Sequence, residues 1–299
     1  MIEPVRVCRR SVTLERMNLD ALPYTSFIVL VEFSVGSLLV CLYAQLRGRV
    51  EASFVKLCAA MAAAGAAVTV LNALALDPQS IIGGYRLESG LLSPVRTVSI
   101  VFLAATLPYV WFVLRGARTK ALVSGAIASG TGAALVAIVS YYVSLPTWSY
   151  AGALASIAAG TLSVGAVVLA MTLGHWYLVT PRLPREPLAE LTLLLVAAVA
   201  LQVVLLIVNV AIPAREAPAA TAFLGSTTLG ANPAFWLRIG IGLAFPAALG
   251  AMSFASSRGY PANENAMMAA TGLLYIAVGA VLVGEVLARG LLFLTGVPV

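Results

Sequence analysis

Residues 188–213 read LAELTLLLVAAVALQVVLLIVNVAIP, a run in which Glu190 is the only charged side chain. It is far longer than a strand and apolar on every face of a helix, which marks a helix surrounded by hydrocarbon or by other apolar helices. About 20 residues rising about 1.5 Å each cross a bilayer core of about 30 Å, so the stretch is long enough to span one.

Working outward, seven further runs of this kind occupy residues 22–46, 54–76, 95–115, 119–143, 149–179, 232–257 and 265–296. Proline, glycine and charge separate them at Asp77-Pro78, Arg115-Gly116, Leu145-Pro146, Pro181 to Pro187, Ala214 to Glu216 and Arg258 to Asn265. The expected fold is all-α, a polytopic transmembrane bundle of about eight helices. Residues 1–21 form a short extramembrane segment and 22–299 a single transmembrane domain. An even number of spans puts both ends on one side.

Composition agrees, with 61% of the 299 residues hydrophobic, 10% charged and a mean hydropathy of +0.99. A soluble domain carries roughly a quarter charged residues, so a water-solvated enzyme is excluded. The net charge of +6 sits in loops and at helix ends, where it favours anionic headgroups and not nucleic acid. Arg6, Arg9, Arg10 and Arg16 have no apolar run behind them, so no cleavable signal is expected and the first span directs insertion.

Loops after odd-numbered helices hold Arg47, Arg49, Lys56, Arg115, Arg118, Lys120, Arg182, Arg185 and Arg258, against Arg86, Arg96 and Arg215 after even-numbered ones. The bias makes the odd loops cytoplasmic and both ends external. The four N-terminal arginines oppose it, and a start at Met17 would remove them, which N-terminal sequencing of the native protein tests.

Two stretches are loops. Asp77 to Pro94, with Gly83, Gly84, Arg86 and Glu88, is too polar to span and forms a cap over the bundle; Pro213 to Asn232 is a second surface loop. Small residues four apart, Ser124, Ala128 and Gly132 in the fourth helix and Gly152, Ser156 and Gly160 in the fifth, mark close helix packing.

Charge at membrane depth costs about 2.5–3.5 kcal/mol on insertion scales, so each ionisable residue there needs a reason. Glu32, amid apolar neighbours, is either a proton acceptor lining a cavity or a protonated acid hydrogen-bonded between helices. Glu285 and Arg289 stand four apart on one helix face, as an ion pair or as part of a proton or headgroup site. Arg238 is expected to snorkel to the interface. Asn72, Gln202 and Asn209 are expected in interhelical hydrogen bonds.

His175 is the only histidine, in Gly174-His175-Trp176-Tyr177-Leu178 near the end of the fifth helix. The three polar aromatics serve as an interfacial anchor, or the imidazole hydrogen-bonds a quinone carbonyl while Trp176 and Tyr177 contact its ring and tail. A two-histidine haem site is unavailable, and Cys8, Cys41 and Cys58 lack the spacings of iron–sulfur or zinc ligands, so no haem, cluster or metal is expected in this chain. Arg182 and Arg185 supply a basic rim for a partner or anionic lipid.

Several segments together resemble the membrane-anchor subunit of bacterial dimethyl sulfoxide reductase and its polysulfide- and nitrite-reductase relatives. They are Leu22-Pro23-Tyr24-Thr25-Ser26-Phe27 continuing to Glu32-Phe33-Ser34-Val35-Gly36, Leu145-Pro146-Thr147-Trp148-Ser149, Trp236-Leu237-Arg238, and Val283-Gly284-Glu285-Val286-Leu287-Ala288-Arg289-Gly290 with the following Leu291-Leu292-Phe293. The sequence departs from that family where its quinol-site histidine would follow the second helix, at Leu74-Ala75-Leu76-Asp77-Pro78, and where an acidic residue would open the third, at Ser93-Pro94-Val95-Arg96.

The resemblance implies a cell-membrane anchor subunit of anaerobic respiration that binds quinol or menaquinol and passes electrons to an iron–sulfur subunit joined to a molybdopterin catalytic subunit. His175, Glu32 and Glu88 are the proton acceptors that the residues themselves offer for such a site. A proton-coupled small-molecule permease using Glu32 and Glu285, and a structural anchor without quinone, are the alternatives.

Overall fold

The computed structural model describes residues 19–82, 85–144, 150–180, 183–212, 229–258 and 264–299. Cys8, Met17 and the N-terminal arginines, the 145–149 segment, Arg182, and residues 213–228 of the second loop lie outside the described residues.

Among the described residues eight helices are long and apolar enough to cross a membrane, and the chain is a multi-pass membrane protein. They are α1 Leu22–Arg47, α2 Ala52–Ala75, α3 Leu92–Leu114, α4 Arg118–Ser144, α5 Tyr150–Val179, α6 Glu186–Ala211, α7 Pro233–Arg258 and α8 Glu264–Thr295. Their ends fall within three residues of those read from the sequence.

Local chemistry sets those ends. Pro23 and Pro187 occupy first turns, where no amide donor is needed. Gly48, at φ 66°, closes α1 in the left-handed conformation, its N–H returning to the Ala44 carbonyl. The last carbonyls of α2 receive the Arg96 guanidinium, at 3.0 Å from Ala73 O, 3.4 Å from Leu74 O and 2.5 Å from Leu76 O. A cation there satisfies the orphan acceptors and suits the negative end of the helix dipole.

Helices α1–α4 pack as one four-helix group and α5–α8 as another, joined along α1 and α5. At the joint a Cβ on Gly36 would fall on the carbonyl oxygen of Thr161, and one on Gly165 would strike the Gly36 backbone. Lipid provides no hydrophobic drive for association, so such close backbone contact holds the two groups together. Gly36→Ala is expected to cost about 1–3 kcal/mol, because the obstructing atoms are backbone and cannot rotate away. A lowered unfolding midpoint in detergent would register it; an unchanged midpoint would mean the two groups part without strain.

The small residues of α4 behave as read: Ser124 and Ala128 are buried, and a Cβ on Gly132 would lie 3.0 Å from Phe102 and from Val35. In α6, Leu188, Leu191, Leu195, Val199 and Gln202 face inward, while Leu193, Leu201, Val204 and Ile207 are exposed toward lipid.

The expected cap is present. Strands β1 Ile81–Ile82 and β2 Tyr85–Arg86 pair antiparallel, and Ile82, Tyr85 and Leu87 are buried. The Tyr85 ring meets Phe293 edge-on at 5.4 Å, and its hydroxyl donates to the Val143 carbonyl. Tyr24 donates to Asp77 O at 2.6 Å, and Asn209 Nδ2 to Pro298 O at 2.6 Å. The face on which α1 begins and α8 ends, here the proximal face, is thereby closed; the distal face carries the turns after α1, α3 and α5.

Candidate functional site

Glu32 lies ten residues beyond Leu22, and Glu285 ten before Thr295. Neighbouring spans run in opposite directions, so α1 descends from the proximal face while α8 climbs to it, and both carboxylates come to one depth. Ten residues place them about 15 Å below the proximal helix ends, inside the hydrocarbon.

There they meet Arg289 and Arg238. Arg289 Nε donates to Glu32 Oε1 at 2.8 Å, its Nη2 stands 2.7 Å from the same oxygen and 3.0 Å from Glu285 Oε2, and its Nη1 donates to Ser156 Oγ at 3.1 Å. Glu285 Oε1 receives Gln202 Nε2 at 2.6 Å, Arg238 Nη1 at 3.4 Å and the Ser163 hydroxyl at 3.5 Å. Glu32, Glu285 and Arg289 are 0% exposed and Arg238 1%. Two guanidinium cations and two carboxylates balance, as burial of charge requires, since each unpaired ion would cost several kcal/mol.

Glycines make the room. A Cβ on Gly160 of α5 would lie 2.7 Å from Arg289 Nη2, Glu285 Oε2 and Glu32 Oε1 alike. One on Gly284 would lie 2.9 Å from Arg238 Nη1, and one on Gly242 2.7 Å from the Gly284 Cα. Helix α7 winds as a π-helix over Arg238–Ala244, a form that clusters at functional sites.

Arg238 therefore does not snorkel to the interface as expected. The paired glycines open an inward path, and Glu285 supplies the counter-charge at its end. The Glu285–Arg289 pair is present, but within a larger assembly.

The two carboxylates differ in their surroundings. Glu285 is held by donors from α5, α6, α7 and α8, whereas Glu32 is held by Arg289 alone and its Oε2 has no hydrogen-bond partner among the described residues. Arg238 Nε is likewise buried without a partner. Glu32 Oε2 is thus the one carboxylate oxygen of the network without a donor, and so the one placed to take a proton.

The remaining candidates lie elsewhere. His175 stands fifteen residues along α5 from Gly160, about 22 Å away toward the distal face. Trp176 Nε1 donates to Glu51 Oε2 at 2.9 Å, which fixes it against the α1–α2 turn, and Tyr177 turns inward to donate to the Pro184 carbonyl. His175 pairs with Tyr275. Glu88 is exposed on the proximal cap, and Arg185 is partly buried at the distal end of α6.

Gln202 makes interhelical bonds as expected, whereas Asn209 donates to the Pro298 carbonyl in the segment beyond α8, and Asn72 Oδ1 is buried with no partner among the described residues. Cys41 and Cys58 are free and buried, Cys41 Sγ 3.3 Å from the Tyr109 hydroxyl. Among the described residues no group of three His, Cys, Asp or Glu side chains is placed to hold a metal ion.

The sequence marks Glu32, Glu285 and Arg289 but not their union, and it carries no direct sign that Gly160, Ser163 and Gln202 belong with them. The available signal was depth: counted from the proximal ends, Glu32, Gly160, Gln202 and Glu285 all stand nine or ten residues in. No protein-family model, no curated protein and no solved structure matches this chain.

Proposed function

We propose that this chain is the quinone-interacting membrane subunit of a respiratory oxidoreductase in the cell membrane, whose buried Glu32–Arg289–Glu285–Gln202–Arg238 network handles the protons of quinol chemistry. The observation that carries the reading is the network itself, at hydrocarbon depth, with one carboxylate oxygen left open. Intramembrane ionisable groups are costly and mark proton or substrate paths.

Quinol gives up two protons with its two electrons. In this reading Glu32 Oε2 takes the two protons one at a time, passing the first on to water before it accepts the second, while Arg289 and Ser156 hold the carboxyl network in place and Glu285 keeps its four donors. The electrons pass to an iron–sulfur partner and on to a molybdopterin subunit, as the resemblance implies.

The test is purification of the native complex in mild detergent, with co-purifying subunits identified by mass spectrometry and quinone extracted from the same sample. Iron–sulfur partners with roughly stoichiometric quinone are expected. A lone chain without quinone would overturn the reading, and partners without quinone would reduce it to a structural anchor.

A proton-coupled permease is the second reading. It is favoured by the π-helical interruption of α7 beside the network, since helix breaks at mid-membrane form the sites of many transporters. Substrate movement by the isolated chain in liposomes would decide for it.

A further inference from the structure

We propose that a pocket in the distal face, between the α1–α2 and α3–α4 turns, binds the phosphate of an anionic phospholipid headgroup. The site belongs to the α1–α4 group and stands apart from the buried network, so it goes beyond the redox reading above and does not depend on it.

The pocket has a volume of about 290 Å³, and Gln45, Val50, Val55, Phe112, Val113 and Arg118 line it. Each turn beside it holds a glycine in the left-handed conformation, Gly48 at φ 66° and Gly116 at φ 68°, so neither position carries a side chain over the mouth. A Cβ on Gly116 would meet nothing within 4 Å, whereas one on Gly48 would lie 2.7 Å from Arg118 Nη2. The bare Cα of Gly48 is what lets the guanidinium reach from α4 across to the α1–α2 turn, where Nη2 stands 3.4 Å from the Gln45 carbonyl oxygen.

The polar side chains of the pocket offer donors. Arg118 forms no ion pair among the described residues, and no acidic side chain among them lines the pocket. Gln45 Oε1 accepts from the Tyr109 hydroxyl at 3.1 Å, which leaves the amide nitrogen as the group it can still offer. Glu51, the acidic residue of the α1–α2 turn, is turned away to Trp176 on α5. Arg47 and Arg49 are matched by Glu190 at 2.6 and 3.2 Å, but Lys120, 5.9 Å from the centroid of the pocket's Phe112 ring, has no carboxylate partner among the described residues. Uncompensated positive charge is thus gathered at the α3–α4 turn.

An anion with an apolar attachment fits these walls. A guanidinium fork pairs with two phosphate oxygens at once, and Val50, Val55, Phe112 and Val113 give contact to the glycerol and the first chain carbons. The volume stands near the lower bound of small-molecule sites, roughly 300 Å³, which suits a headgroup better than a large soluble cofactor. Position selects lipid as the source. Helices α1 and α3 end at this pocket, and Trp111 and Leu114 are exposed beside it on the last turn of α3, the depth at which hydrocarbon gives way to headgroups.

The test is titration of the full-length protein in mild detergent with short-chain phosphatidylglycerol, read by native mass spectrometry, beside phosphatidylcholine and inorganic phosphate. Saturable binding of phosphatidylglycerol at one site is expected, with phosphatidylcholine weaker. Arg118→Gln, which keeps a donor and removes the charge, should weaken binding by about tenfold or more, the loss of a charge-assisted hydrogen bond. Arg118→Lys keeps the charge without the planar fork and should fall between the two. Ala52→Phe, which puts a ring into the pocket from an exposed position, should weaken binding as Arg118→Gln does. Arg258→Gln, at the distal end of α7 where the guanidinium lies 5.4 Å from the Phe254 ring, should leave it unchanged.

Unfolding midpoints of the lipid-free variants check that they fold. Equal losses from Arg118→Gln and Arg258→Gln would reduce the pocket to a basic surface and overturn the site, as would an Ala52→Phe protein that binds like the wild type. Phosphatidylcholine bound as tightly, or lipid displaced by an equal concentration of inorganic phosphate, would overturn the anionic headgroup as its ligand. None of these readouts involves quinone or a partner subunit, so failure here leaves the redox reading untouched, and failure of that reading leaves the pocket standing.

Discussion

Glu285→Leu is expected to lower stability by about 3–5 kcal/mol, the loss seen when one partner of a buried ion pair is removed. Glu285 accepts from Gln202, Ser163, Arg238 and Arg289, so its removal strands two guanidinium groups around the single carboxylate of Glu32 and leaves Gln202 Nε2 only the Ser163 hydroxyl, at 3.2 Å. Thermal unfolding in detergent is the measurement. Arg238→Leu combined with Glu285→Leu should recover part of the loss, because Arg289 and Glu32 then remain as a neutral pair. Glu190→Ala gives the contrast: it breaks the more exposed pairs with Arg47 and Arg49 at 2.6 and 3.2 Å, worth about 0–1 kcal/mol. If Glu285→Leu cost no more than Glu190→Ala, the network would contribute nothing to holding α5 to α8 together.

The helices were legible because their ends are written in neighbouring residues. Pro23, Gly48, Pro187 and Gly116 break or start helices by backbone chemistry that needs no partner. Depth was legible too, since residues can be counted along a span. Rotation about the helix axis was not. In a chain that is 61% hydrophobic, apolar side chains cover lipid-facing and inward faces alike, so the amphipathic signal that orients a soluble helix is nearly erased.

Arg238 shows the consequence. Near the start of its span it reads as a snorkelling residue, and only the approach of Gly284 to Gly242 turns it inward. Gly160 was read as a packing residue, which it is, but what packs against it is a cluster of charge. Tyr275 carried no signal, because its partner is a hundred residues away on α5.

Glu32→Gln should separate a proton-handling network from a structural one. Glutamine keeps an acceptor oxygen for Arg289 in a side chain of the same shape, so the contact made at 2.8 Å survives, and the stability loss should be smaller than for Glu285→Leu. What disappears is the carboxylate at the open Oε2 position, which an amide nitrogen cannot replace as a proton acceptor. If Glu32 is the acceptor, quinol-driven turnover of the purified complex should fall by about 100-fold or more, the scale of a lost general base, while quinone content stays unchanged. Glu32→Asp should restore part of that rate, since it returns a carboxylate on a shorter stem. A Glu32→Gln complex that retains its quinone and turns over like the wild type would assign the proton to another group. The two arginines and two carboxylates would then be a fastening between α1 and α8, and the open oxygen of Glu32 would reflect only the limited reach of Arg289.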